Sequence, residues 1–221
     1  MPVRHGYTNS TERVSRGVRK SYSGPGALAR ADAELTALTR LANVMPVPVV
    51  LDRPAEGSIV TEFRAGEHGQ DLIDAGHADQ VLTACGALLR RLHALDPGLL
   101  ATGQHPSTHV VQHGDFGPNN ILLDPRDYAV TALLDWEFCG VGAAIRDVAW
   151  CEWIVRMHHP AAVEALSAFF GAYGKRPSWD DRQHAMIVRC RWLEAFAERW
   201  DDRDAVRLWQ QRVRATAAWV E

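Results

Sequence analysis

Hydrophobic and polar positions follow two regimes along this chain, strand-like and turn-rich at the front, helical at the back. VRKSY (18–22) alternates with a period of two and reads as a short strand, closed by the turn residues SGPG (23–26). In ALARADAELTALTRLAN (27–43) the apolar residues Leu28, Ala31, Leu35, Leu38 and Leu41 recur at helical spacing. PVPVVLD (46–52) and SIVTEF (58–63) are apolar and β-branched, and the breaker stretch RPAEG (53–57) between them predicts a hairpin. From Ala78 the period lengthens. Val81, Cys85, Leu88, Leu89, Leu92 and Leu95 make one stripe of a helix over 78–95, stopped by Asp96-Pro97-Gly98. HVVQ, NILLD and YAVTALLD follow as short strands, and helices are expected over 143–157, 160–173, 180–199 and 203–219. The pattern is α+β. Residues 1–63 form a small β-rich unit, the polar stretch RAGEHGQ (64–70) a linker, and 71–221 a larger, mainly helical unit. The cleft between two such lobes is a natural ligand site.

With 221 residues, 47% of them hydrophobic, the chain can bury a substantial core. A net charge of −3 and a pI near 6.4 leave no footprint for nucleic acid, and no basic run seeks a membrane surface. Residues 61–135 hold 10 acids against 4 bases, a lean that suits a cationic ligand and equally an ordinary solvated face. Cys85, Cys139, Cys151 and Cys190 are far apart and read as small buried residues of a reducing compartment. MPVRHGYTNSTERV lacks the apolar core of a signal peptide, so a cytoplasmic location is expected.

The candidate chemistry lies in VVQHGDFGPNNILLD (110–124) and its continuation to Asp135. Pro125 to Asp127 supply a turn between two apolar runs. A loop over Arg126–Ala129 would pair residues whose numbers sum to 255, setting Asn120 opposite Asp135 at the open end of a hairpin. An amide oxygen and a carboxylate so placed are hard donors suited to Mg²⁺, with substrate phosphate and water completing the shell. Asp115 lies on the loop entering that hairpin, where the Gly117-Pro118 turn can fold it back to accept a proton from a substrate hydroxyl. The D-x-x-x-x-N spacing followed by a later Asp matches the phosphoryl-transfer template, which also needs a strand lysine and a helix glutamate. Lys20 and Glu34 are the preferred pair, with Arg19 and Asp32 as rivals. Thr8, Asn9 and Ser10, in the turn-prone stretch HGYTNSTERV, would offer hydroxyls and backbone N–H groups to phosphates. The backbone of Glu62, Phe63 and Arg64, between the lobes, would meet an adenine edge.

HGDFGPNNIL resembles the catalytic loop of the aminoglycoside phosphotransferases and their choline-kinase-like relatives. LLDWEF resembles their metal-binding segment, LLRRLHALDP (88–97) the helix before the loop, and RDVAW (146–150) a downstream element. The resemblance implies a bilobal protein-kinase-like fold with a shortened N-lobe. It also implies ATP and Mg²⁺ as cofactors and transfer of the γ-phosphate to a small-molecule hydroxyl acceptor such as an aminoglycoside. On it, Asp115 is the base, Asn120 and Asp135 hold Mg²⁺, and Lys20 pairs with Glu34. Asp147 braces the catalytic loop, His113 is a structural part of it, and Glu137 assists at the metal or faces substrate. The alternative is a nucleotide- or partner-binding module on a trimmed kinase fold, without turnover. The acids Asp180, Asp181, Glu194, Glu198, Asp201, Asp202 and Asp204 could grip amino groups of an acceptor or simply pair on the surface. Trp192 or Trp200 would serve in an aromatic cage, although tryptophans at helical spacing are more often core. Nothing in the sequence specifies an oligomeric state.

Overall fold

The computed structural model describes residues 9–221, so Thr8 lies outside the described residues. Asn9–Val14 (β1) and Gly17–Tyr22 (β2) form a hairpin. Ser58–Thr61 (β4) pairs with β2, and Val50–Ala55 (β3) lies at the edge, giving an antiparallel order β1-β2-β4-β3. The breaker stretch therefore does not end the strand at Asp52. β3 continues through Pro54 because on an edge strand a missing N–H need not break a ladder, and the register shifts between Asp52 and Ala55. Ala27–Leu41 (α1) crosses this sheet. Ala31 packs with Tyr22 and Ile59, whereas Ala37, Leu38 and Leu41 reach the main core; Leu28, expected on the buried stripe, is exposed at the first turn.

Residues 62–66 are irregular, and Glu67–His68 (β5) then pairs with Ile121–Leu123 (β7). The stretch expected as a linker thus enters the larger unit before it ends. Gly69–Asp74 (α2) and Ala78–His93 (α3) follow. His109–Gln112 (β6) pairs with Gly140–Ala143 (β9), and β7 with Val130–Leu133 (β8). The glycine-rich β9 carries no strand signal of its own; it is a strand because β6 supplies its partner. Ile145–His158 (α4), Leu166–Tyr173 (α5), Trp179–Glu198 (α6) and Arg203–Ala218 (α7) complete the fold, with 3₁₀ turns over Pro160–Ala165 in place of the helix start expected there.

The α3 stripe is the centre of the core. Val81, Cys85, Leu89 and Leu92 are fully buried with Ile121, Leu123, Leu133 and Trp136 of the β7–β8 hairpin and the segment after it. Each such side chain contributes about 1.5–3 kcal/mol by leaving water. A second cluster joins α4 to α6 through Trp150, Trp153, Ile154, Met186 and Cys190. Beside it Arg182 and Glu152 form a wholly buried ion pair, and the Pro177 carbonyl accepts from the same guanidinium. Among the described residues no helix is long and apolar enough to cross a membrane.

Candidate active site

β6 delivers the chain into the loop His113–Phe116 between the two small sheets. Gly114 has φ +82, and a Cβ there would come within 2.1 Å of the Phe138 carbonyl oxygen, so only glycine fits this turn. The loop is braced from α4. The Asp147 carboxylate accepts from the backbone N–H groups of His113 and Gly114, both at 2.9 Å, and faces His93 Nε2 at 3.2 Å. Burial opposes ionisation of Asp147, but His93 and the Gly114 N–H outweigh it and hold its pKa below the usual carboxylate range. His113 is also fully buried. Its Nε2 lies 2.8 Å from the Leu134 carbonyl, which can only accept, so Nε2 carries the proton and Nδ1 accepts from the Asp115 N–H at 3.2 Å. Burial keeps this imidazole neutral, with its pKa lowered.

Asp115 is held at both oxygens. Trp150 Nε1 donates to Oδ1 at 2.7 Å, and Asn120 Nδ2 to Oδ2 at 2.9 Å and to the Asp115 carbonyl at 2.8 Å. The hairpin beyond it has a different register from the one expected. Ile121 faces Leu133 and Leu122 faces Ala132, so Asn120 stands opposite Leu134, whose N–H donates to the Asn120 carbonyl at 2.8 Å. The reason is the turn. Tyr128 adopts a left-handed conformation, φ 59, and the loop closes early, with the Asp124 N–H on the Ala129 carbonyl and Leu123 opposite Val130; the bulge after Leu122 then restores one of the two residues lost from the simple count. Asp135 lies one step past the ladder and is itself left-handed, φ 65, a conformation aspartate tolerates better than most residues.

The N-lobe meets this hairpin through charge. Lys20 on β2 donates to Glu34 of α1 at 2.6 Å and also pairs directly with Asp135. The Tyr22 hydroxyl donates to the same Glu34 oxygen at 2.6 Å. Burial alone would lower the Lys20 pKa; Asp135 and Glu34 outweigh it and hold the ammonium well above its ordinary range. Burial pushes Glu34 upward against the pull of Lys20, while Lys20 keeps Asp135 low despite its burial. The rival residues are occupied elsewhere, Arg19 with Glu12 and Asp32 with Arg53. A second inter-lobe pair links Arg30 of α1 to Glu137, and Asn9 Nδ2 donates to Glu137 at 2.9 Å.

Asn9 and Ser10 are strand residues paired with Tyr22 and Ser21, not part of an open loop, because β1 begins at Asn9. Glu62 exchanges hydrogen bonds with Val49 through its backbone N–H and its carboxylate, and Arg64 pairs with Glu62 at 2.6 Å. Phe63 is exposed, with the Arg13 guanidinium 4.1 Å over its ring. The donor set around Asn120 and Asp135 is compatible with Mg²⁺: an amide and a carboxylate, hard oxygen ligands on adjoining segments, with Glu137 two residues on. Among the described residues no cluster of three or more His, Cys, Asp or Glu side chains could hold a metal by itself. The sequence reading overlooked Trp150, Tyr22, Arg30 and His93, all of which contact it from a distance along the chain.

The cationic-acceptor features resolve differently. Asp181 accepts from the hydroxyl of Ser178, the N-cap of α6, Asp202 caps α7, Glu194 accepts from Gln210, and Asp204 pairs with Arg207. The Trp192 ring is already covered by the protein's own Arg189, 4.3 Å from its centre.

Four-stranded antiparallel sheet, crossing helix, braced loop and helical lobe define a bilobal kinase-like architecture. The model of the phosphotransferase enzyme family APH matches residues 1–105 and 98–209, and the chain belongs to that family. Solved structures of the same fold include aminoglycoside 3'-phosphotransferase of type VIII, 22% identical, with a TM-score of 0.67, covering 84% of this chain and 89% of that one. The aminoglycoside phosphotransferase APH(4)-Ia is 17% identical with a TM-score of 0.74, covering 98% and 92%. The GDP complex of aminoglycoside 2'-phosphotransferase-IIIa is 12% identical with a TM-score of 0.75, covering 98% and 91%. No protein among the curated sequences matches the chain.

Proposed function

We propose that the chain moves the γ-phosphate of ATP to a hydroxyl of a small molecule, in the presence of Mg²⁺. One observation carries this reading: Lys20 and Glu34 of the small lobe converge on Asp135, beside a loop that holds Asp115 and Asn120 together. Solvated surface charges have no reason to be gathered from four segments into one half-buried cluster, whereas phosphoryl transfer needs a cation, metal ligands and a proton acceptor in one place. Lys20 would hold nucleotide phosphates, with Glu34 and Tyr22 fixing its ammonium. Asn120 and Asp135 would hold Mg²⁺, which when bound offsets phosphate charge. Asp115, oriented by Trp150 and Asn120, would align the acceptor hydroxyl and accept its proton. Phe63 and Arg64 lie where the backbone between lobes would meet a base; the Glu62 N–H already serves Val49.

Related structures support a nucleotide and a polyhydroxyl acceptor as probes. APH(4)-Ia has been solved with AMP-PNP or ADP and hygromycin B, and APH(2'')-IIIa with GDP and kanamycin. The test is ADP release from Mg·ATP across a panel of hydroxyl acceptors, aminoglycosides included, with Asp115→Asn as control. Acceptor-dependent release that falls by about 10²-fold or more in the variant, with Mg·ATP binding retained, is expected. An unchanged rate in Asp115→Asn would remove Asp115 from the role of base. Nucleotide binding without turnover on any acceptor would favour the binding-module alternative.

A further inference from the structure

Arg189 stands apart from the other buried arginines of the chain. Arg182 reaches Glu152, Glu221 and the Pro177 carbonyl, and Arg30 reaches Glu137, Asn9 and two backbone carbonyls. Arg189 lies on the inner side of α6 with Met186 and Cys190, yet among the described residues no carboxylate pairs with it. Its Nε and Nη2 atoms are both buried without a hydrogen-bond partner, and it alone among the described residues leaves two guanidinium nitrogens so. Aromatic rings surround the guanidinium: Trp192 at 4.3 Å, Phe138 at 5.2 Å and Trp150 at 5.5 Å. Rings stabilise the faces of a guanidinium, but its N–H groups radiate in its own plane and need acceptors. Burial disfavours the charge and lowers the Arg189 pKa, with repulsion from Arg146 acting in the same direction and weaker support from Asp115 and Asp147 against it.

The position matters as much as the missing partner. Trp150, which touches Arg189 with its ring, donates its Nε1–H to the Asp115 carboxylate. The Asp115 oxygens take their donors from Trp150 and Asn120, and the buried Nε and Nη2 of Arg189 reach neither of them. Phe138 lies on the segment that follows Asp135, and Trp192, 39% exposed, forms the solvent side of the box. A buried fork of donors, one indole away from the proposed base and walled by flat rings, has the chemistry of a carboxylate receptor.

We infer that Arg189, framed by Phe138 and Trp192, binds an anionic group, a carboxylate, on the hydroxyl acceptor. The acceptor class is then a hydroxy-carboxylate with an apolar or aromatic body, not a pure polycation. This deepens the transferase reading above and rests on it only for the word acceptor; the anion site itself is defined by Arg189 and its rings.

The test separates the two. Mandelate and mandelamide, and glycerate and glyceramide, differ only in the charge that Arg189 would recognise. Each is titrated calorimetrically into the full chain, with and without Mg·AMP-PNP, for wild type, Arg189→Gln and Arg189→Lys. Thermal melting confirms that each variant is folded, and the lysine variant keeps the cation if the glutamine variant does not fold. A carboxylate should bind roughly 10- to 100-fold more tightly than its amide in wild type, the value of a charge-assisted hydrogen bond. That advantage should vanish in Arg189→Gln and survive in part in Arg189→Lys, an effect a packing role would not produce. Equal binding of acid and amide, no saturable binding of either acid, or an advantage that persists in Arg189→Gln would overturn the inference. Carboxylate binding without ADP release from any acceptor would defeat the transferase reading and leave the anion site. Aminoglycoside turnover indifferent to Arg189→Gln would do the reverse.

Discussion

Trp150 shows how a single side chain can connect core and chemistry. Its ring stacks on Trp153 at 4.4 Å in the α4–α6 cluster, while its Nε1–H aims Asp115. Trp150→Phe keeps most of the packing and removes one charge-assisted hydrogen bond, worth about 1.5–3 kcal/mol. We expect kcat to fall by roughly 10-fold or more with KM for Mg·ATP unchanged, measured by ADP release. A rise in KM for Mg·ATP at unchanged kcat would mean that the indole acts through nucleotide binding instead. The same residue illustrates a limit of reading sequence: in RDVAW it looks like one more apolar residue of a helix, and only its distance to Asp115 shows the donor.

The element that sets the loop is the first turn of α4. Asp147 satisfies two backbone N–H groups that a tight left-handed turn would otherwise leave unpaired, and does so from a helix start, where a negative charge is favoured. Its folded-state pKa is depressed, so its stabilising contribution is present above the unfolded value near 3.9 and is lost as pH falls through the folded value. Asp147→Asn should therefore lower the melting temperature at neutral pH, with a cost of about 1–3 kcal/mol for the unsatisfied donor. Below about pH 4 the gap to wild type should narrow progressively, because the unfolded carboxyl then takes up a proton that folded Asp147 resists until pH reaches its own depressed value. Melting curves from pH 7 to pH 3 check this. A gap independent of pH would show that the carboxylate's charge is not what braces the loop.

Across the whole molecule, two ion pairs join the lobes, one partly and one fully buried. Lys20–Asp135 lies at the proposed phosphate site, and Arg30–Glu137 lies beside it, with side chains 7% and 2% exposed. Removing one partner of such a pair leaves a buried charge, which costs about 3–5 kcal/mol, far more than a surface pair contributes. Glu137→Gln should therefore lower stability by about 3 kcal/mol and make the lobes unfold less cooperatively, seen in calorimetry as a calorimetric enthalpy exceeding the van't Hoff value. A single sharp transition at the wild-type temperature would mean that Arg30 finds another partner, with Asn9 the nearest.

Hydrophobic period and motif spacing, as local properties of the chain, made most strands and helices legible, with Lys20, Glu34, Asp115, Asn120 and Asp135 as candidates, and the family resemblance added Asp147. It placed the α3 stripe correctly, since that period is uninterrupted over four turns. It misjudged the β7–β8 register by one residue, for a left-handed Tyr128 and the bulge after Leu122 depend on backbone strain and not on residue type alone. It missed β9, whose glycines become a strand only against β6. Packing of the lobes settled contacts that the chain order does not show: Lys20 at Asp135 as well as Glu34, Arg30 at Glu137, and Arg189 among rings without a paired acid among the described residues. Charge pairing is set by distance in space, and residues over a hundred positions apart, such as Lys20 and Asp135, reveal nothing of that distance until the two lobes are packed.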